Sequence, residues 1–131
     1  TDELPNIVKK IEDEIVSKEL VPLMEPFFVG QLIFYTSDEF SNKILKEGKV
    51  KQVSWEELNN LYNAEEFCPV DGKTVRIADH LSALMEADIS IKHGITSNHL
   101  AHGRESMLNN YPKGKIINGI DVGKLFREIV E

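Results

Sequence analysis

Arg76-Ile77-Ala78-Asp79-His80-Leu81-Ser82-Ala83-Leu84-Met85-Glu86 has the spacing of an apolar helix interrupted by one carboxylate. Neighbours on a helix surface lie three and four residues apart, so Val75, Asp79, Ser82, Ala83 and Glu86 share a face. Ala78, Ser82 and Ala83 are small and leave room around the carboxylate. A polar group on such a surface is costly to bury unless something satisfies it. On the functional reading Asp79 is a metal ligand or catalytic carboxylate on a buried helix. The structural alternative is a carboxylate paired with Arg76, Lys73 or a distant base. No second group of ligands accompanies Asp79 at an obvious spacing.

Helical signals continue on both sides of this stretch. Ile7, Val8, Ile11, Ile15 and Val16 recur at helical spacing after Pro5, a residue tolerated in a first turn. Pro22 and Pro26 break this run, so residues 21–34 are expected as one or two short segments. Ser37-Asp38-Glu39 resembles a helix start for residues 40–47, with Gly48 as its stop. Residues 49–53 alternate like a brief extended piece. Ser54-Trp55-Glu56-Glu57 has the pattern of a capping box that opens a short helix. Asp71 or Thr74 caps the long helix carrying Asp79, which should reach about Lys92 ahead of Gly94. Ser97 caps a further helix to about Asn109, Gly114 and Gly119 mark a turn-rich link, and Asp121 opens the last helix. No repeat or domain boundary is visible. Helix after helix predicts a single all-α domain over residues 1–131.

The chain has 131 residues, 41% of them apolar, and a formal charge of −7. That charge argues against nucleic acid as a partner, because phosphate backbones are held by clustered Lys and Arg. The apolar runs are too short to span a bilayer. Cys68 is the single cysteine and has no internal disulfide partner, so a reduced, cytoplasmic setting is the simplest expectation. Gly72-Lys73-Thr74 resembles the tail of a phosphate-binding loop, but Phe67 stands where that loop needs its first glycine, and the segment reads as a helix entry. His99 and His102 lie three apart and would share a zinc ion only if a third ligand converged. Glu3 stands by the start of the first helix, where an acid suits the helix dipole.

Two segments together resemble a known family. Ala78-Asp79-His80-Leu81-Ser82-Ala83-Leu84-Met85-Glu86 resembles the Ala-Asp-x-Leu-x-Ala-x-x-Glu helix of HD-domain metal-dependent phosphohydrolases, in particular the 5′-deoxynucleotidase-like members. Thr1-Asp2-Glu3-Leu4-Pro5-Asn6-Ile7-Val8-Lys9 resembles the stretch that follows the family's His-Asp pair. Their separation also fits, and Ile95-Thr96-Ser97 is compatible with the turn after the family's last ligand helix. Glu3 stands where the family usually has aspartate, and Ile7 where it has proline.

The resemblance implies an HD-domain-like helical bundle, incomplete at its N-terminus, with the early histidine and the His-Asp pair preceding Thr1. Asp79 would be the metal ligand, and Glu3 the catalytic acid or water-orienting group. The cofactor would be a divalent ion such as manganese, cobalt or magnesium, which activates a bound water. The substrate would be a small phosphomonoester such as a nucleoside monophosphate, and a homodimer would be in keeping with related proteins. The alternative is a non-catalytic helical interaction module that uses Phe27, Phe28, Leu32, Ile33 and Phe34 as its surface.

Overall fold

The computed structural model describes residues 3–131. The chain divides into two compact units, residues 1–39 and 40–131, which are described separately.

In the first unit, α1 (Glu3–Ile15) begins with an acid in its first turn, the favourable sign for a helix N-terminus. The helix widens into a π turn over Val16–Leu20 and then tightens into a 3-10 turn over Val21–Leu23. Pro22 lies at this transition. A proline has no N–H to donate, and its ring crowds the carbonyl four residues back. Pro26 then occupies the first turn of α2 (Pro26–Thr36). The two helices meet where the Lys9 ammonium donates to the Thr36 carbonyl at 2.8 Å, with Asp13 at 3.4 Å and Glu39 at 3.9 Å. Phe34 is buried, whereas Leu4, Ile7, Val8, Ile11 and Ile15 all remain exposed along α1.

The second unit corrects the all-α expectation in part: it is mostly helical but contains two small antiparallel sheets. The helix expected over residues 40–47 is a strand, β1 (Asn42–Lys46), paired with β2 (Lys49–Gln52) and β3 (Val70–Asp71) in the order β2-β1-β3. Gly48 ends no helix. Glu47 and Gly48 both have positive φ, 53° and 73°, the backbone of a two-residue hairpin turn whose twist matches its strands. Ser54 and Glu57 form the expected capping box and open α3 (Trp55–Asn60). Ile44, Val53 and Leu58 make a small core here, with Tyr62 and Phe67 packed against it.

The larger core lies between three helices: α4 (Gly72–Lys92), α5 (Asn98–Asn110) and α6 (Val122–Val130). Ile77 and Leu84 of α4 meet Tyr111, Val122, Phe126 and Val130, and Leu81, Met107 and Leu108 fill the margin. Arg127 of α6 donates to the carbonyls of Leu108 and Tyr111 at 3.2 and 2.7 Å, satisfying acceptors that a helix end leaves free. Between α5 and α6, the hairpin of β4 (Ile116–Ile117) and β5 (Ile120–Asp121) turns on Asn118-Gly119, again with both φ positive.

This hairpin, β1 and β3 converge on the start of α4. The Asp71 carboxylate accepts from the Thr74 N–H at 3.1 Å and from its hydroxyl at 2.8 Å. The Asn118 amide donates to Asp71 at 3.1 Å and to Thr74 Oγ1 at 3.0 Å. Asn42 Oδ1 accepts the Lys73 N–H at 3.1 Å. The start and direction of α4 are thereby fixed from three sides. No helix among the described residues is long and apolar enough to cross a membrane.

Candidate functional site on helix α4

Helix α4 is apolar on two sides but buries only one. Ile77, Leu84, Ala87 and Asp88 are buried. Val75, Ala78, Asp79, Ser82, Ala83, Met85, Glu86 and Ile89 form the opposite strip and are exposed. A helix hydrophobic around its whole circumference is ordinarily covered on every side.

Asp79 therefore does not lie where the sequence suggested. Its side chain is 58% exposed rather than buried, and its Oδ2 is 3.7 Å from an Arg76 guanidinium nitrogen. Arg76 in turn stacks over the Phe40 ring, 4.4 Å from its centroid. Of the partners expected for a structural carboxylate, Arg76, Lys73 or a distant base, it is Arg76 that stands beside it. Among the described residues no group of three His, Cys, Asp or Glu side chains is placed to hold a metal ion. Asp79 offers one ligand where a divalent ion needs several, so these residues do not make a metal site by themselves.

None of the other sequence candidates in the second unit joins it. Glu3 is the first residue of α1 and is exposed, in the other unit of the chain. Thr1 and Asp2, which opened the resemblance, lie outside the described residues. His99 and His102 are exposed on α5. Gly72-Lys73-Thr74 is the capped entry to α4. Cys68 is half-buried, in a left-handed conformation after a 3-10 turn.

The structure adds two polar arrangements that the sequence reading passed over. His80 Nδ1 lies 2.6 Å from the Tyr111 hydroxyl, and the Tyr111 ring packs, tilted, against Phe126 with centroids 4.3 Å apart. Burial holds the His80 imidazole below its ordinary value; Arg76 pushes the same way and Asp79 opposes it. Burial also lifts the Tyr111 hydroxyl, with Arg76 opposing and Asp79 reinforcing. Asp88 is the buried carboxylate of α4, its side chain 8% exposed, held by Lys92 at 2.6 Å and Arg104 at 2.8 Å. Hydrogen bonds from Lys92 and then Arg104 hold its pKa below the ordinary carboxylate value, against the effect of burial. The spacing of Asp88 and Lys92 was legible as an i, i+4 pair; Arg104, sixteen residues on, carried no sequence signal.

Both shifts act in the same direction on stability. The folded state disfavours protonated His80, so that contribution is complete above 6.5 and is lost as the pH falls through the lowered value. The Asp88 contribution is present above 3.8 and is lost as the pH falls through its own lowered value. The urea midpoint should therefore decline in two stages on acidification. His80→Gln should flatten the upper stage and Asp88→Asn the lower. A His80→Gln protein that keeps the wild-type slope through the upper stage would contradict this assignment.

No protein-family model, curated protein or solved structure matches the chain.

Proposed function

We propose that this chain carries one arm of an HD-type metal-dependent phosphohydrolase site, with Asp79 as a metal ligand and the remaining ligands contributed from outside these 131 residues. The observation that supports it is the exposed strip of α4. A carboxylate set among Ala78, Ser82 and Ala83, flanked by the exposed apolar Val75, Met85 and Ile89, is a surface suited to close approach by a second helix. Small residues admit backbone contact, and the flanking apolar side chains gain by being covered. On this reading Arg76 neutralises Asp79 until a cation replaces it. Glu3 as an acid or water-orienting group, a small phosphomonoester as substrate and a divalent cofactor come from the family resemblance. The isolated chain should bind no manganese.

The test uses the natural gene product that contains this chain. Metal content and phosphomonoester hydrolysis are measured for the wild type and for Asp79→Ala. Loss of both metal and turnover is expected in the variant. A wild-type protein without metal or hydrolysis, or a variant that retains both, overturns the proposal.

One observation favours the interaction module instead. Phe27 and Phe28 form an edge-to-face pair at 5.2 Å, and Phe27 is 78% exposed. Ile33 is exposed as well, but Phe34 is buried and belongs to no such surface. A metal-free natural protein that loses a bound partner on Phe27→Ser would support this second reading.

A further inference from the structure

The β1–β2 hairpin carries a concentration of positive charge in a chain where 22 acids outnumber 15 bases. Strand register places Lys46 directly across from Lys49, and Lys51 across from Ile44. Side chains two apart on a strand share a face, so Lys46, Lys49 and Lys51 lie on the side of the sheet that covers Tyr62. The Lys46 and Lys51 ammonium groups each stand 5.5 Å from the Tyr62 ring centroid. None of the three has an ion-pair partner among the described residues. Like charges directly opposed across strands destabilise a sheet, and here the Tyr62 ring, not a carboxylate, faces the Lys46 ammonium.

The same hairpin ends the sheet. In the order β2-β1-β3, β2 has one strand neighbour, and all four of its residues are exposed. Lysines at an edge commonly protect it against unwanted pairing. β3 pairs only with Asn42 and Lys43, so Lys46 stands beyond it at the same open end of the hairpin as Lys49, and the three ammonium groups gather on one face with Tyr62.

We propose that the β2 edge docks an acidic, extended segment of a partner protein. That segment adds to the sheet as a fourth strand, with its carboxylates against Lys49 and Lys51 and with Lys46 behind them. Strand addition takes its affinity from main-chain hydrogen bonds and its selectivity from alternate side chains. The lysine face supplies that selectivity for acids. Nucleic acid fits less well. The net charge repels it, and a base stacking on Tyr62 would compete with the two lysines and with Phe67, edge-on at 5.1 Å. The proposal is independent of any role for Asp79.

The test is fluorescence anisotropy of the 131-residue chain with a labelled peptide of alternating Glu and Val. Saturable binding is expected, weakening with added salt. It should fall about tenfold in the Lys49→Gln/Lys51→Gln double variant, through loss of two cross-strand charge pairs. A peptide N-methylated on the edge that faces β2 cannot complete the ladder and should not bind; because it leaves the protein untouched, it separates pairing from any folding defect. The proposal is overturned by equal binding of a Gln-Val peptide or of the N-methylated peptide. Tighter binding of a thymidine oligonucleotide, or no binding below about 1 mM, overturns it as well.

Discussion

Phe126→Ala should cost about 3–5 kcal/mol of unfolding free energy. Phe126 is fully buried, and its ring packs against that of Tyr111 with centroids 4.3 Å apart and planes tilted by 45°. It belongs to the cluster of Ile77, Leu84, Tyr111, Val122 and Val130, so contacts from α4, the end of α5 and α6 all converge on one ring. Truncation removes its transfer free energy and leaves a cavity. The neighbours are poorly placed to fill it, because Tyr111 is tied to His80 and Arg127 is tied to the Tyr111 carbonyl. A small domain is stable by only about 5–15 kcal/mol in total, so urea denaturation should show a midpoint shifted far toward native conditions. Phe126→Leu keeps most of the volume and should cost well under half as much. A loss below about 1 kcal/mol for the alanine variant would mean that this cluster is not the core of the unit.

The helices of that core were legible because their ends are chemically marked. Asp121 and Ser54 cap the helices expected of them, Asp71 is the one of the two residues expected for α4 (Asp71 or Thr74) that caps it, and Gly94 follows α4 with positive φ. The miss at residues 40–47 has an equally local cause. Asn42-Lys43-Ile44-Leu45-Lys46 is a short run whose apolar residues are adjacent, so neither the helical nor the strand period shows itself. The turn that makes it a hairpin uses Glu47 at positive φ, a conformation that few residues other than glycine and asparagine advertise. The second hairpin was readable. Asn118-Gly119 between paired isoleucines is a strong short-range turn signal, stronger than the glycines of a turn-rich link alone.

The candidate site shows a different limit. Periodicity reveals which residues share a face of α4, and the structure keeps Asp79 with Ser82, Ala83 and Glu86 as expected. It does not reveal which of two apolar faces is covered. Asp79 and Asp88 lie nine residues apart on nearly opposite sides of one helix. The exposed carboxylate drew attention because its neighbours are small, whereas the buried one, Asp88, is satisfied by Lys92 and by Arg104 from α5. A base supplied by another helix is a tertiary fact, beyond the reach of spacing along one element.

Gly123→Ala and Gly72→Ala should each destabilise the second unit by about 3 kcal/mol or more, while Gly103→Ala should stabilise it by about 0.5–1 kcal/mol. The three glycines are all helical, so the contrast isolates packing from backbone propensity. Val70-Asp71-Gly72 and Ile120-Asp121-Val122-Gly123 repeat one device: a two-residue strand, an aspartate cap, and a glycine in the first turn. At Gly72 a Cβ would overlap the backbone of Phe40 and Ser41, and at Gly123 that of Pro112 and Lys113. Neither obstacle is the movable end of a side chain. Pro112 is a ring-constrained residue whose carbonyl also accepts the Lys115 N–H at 3.1 Å, and Ser41 leads directly into β1. Relief therefore requires a backbone segment to shift, the lead into β1 at Gly72 and the turn after α5 at Gly123, which disturbs the start of α4 or α6. Gly103 meets nothing within 4 Å of a built Cβ, so alanine there gains helix propensity alone. Thermal melts of the three variants should place Gly103→Ala above the wild type and the other two far below it. Equal melting temperatures across the set would remove close backbone approach as the reason for these two glycines.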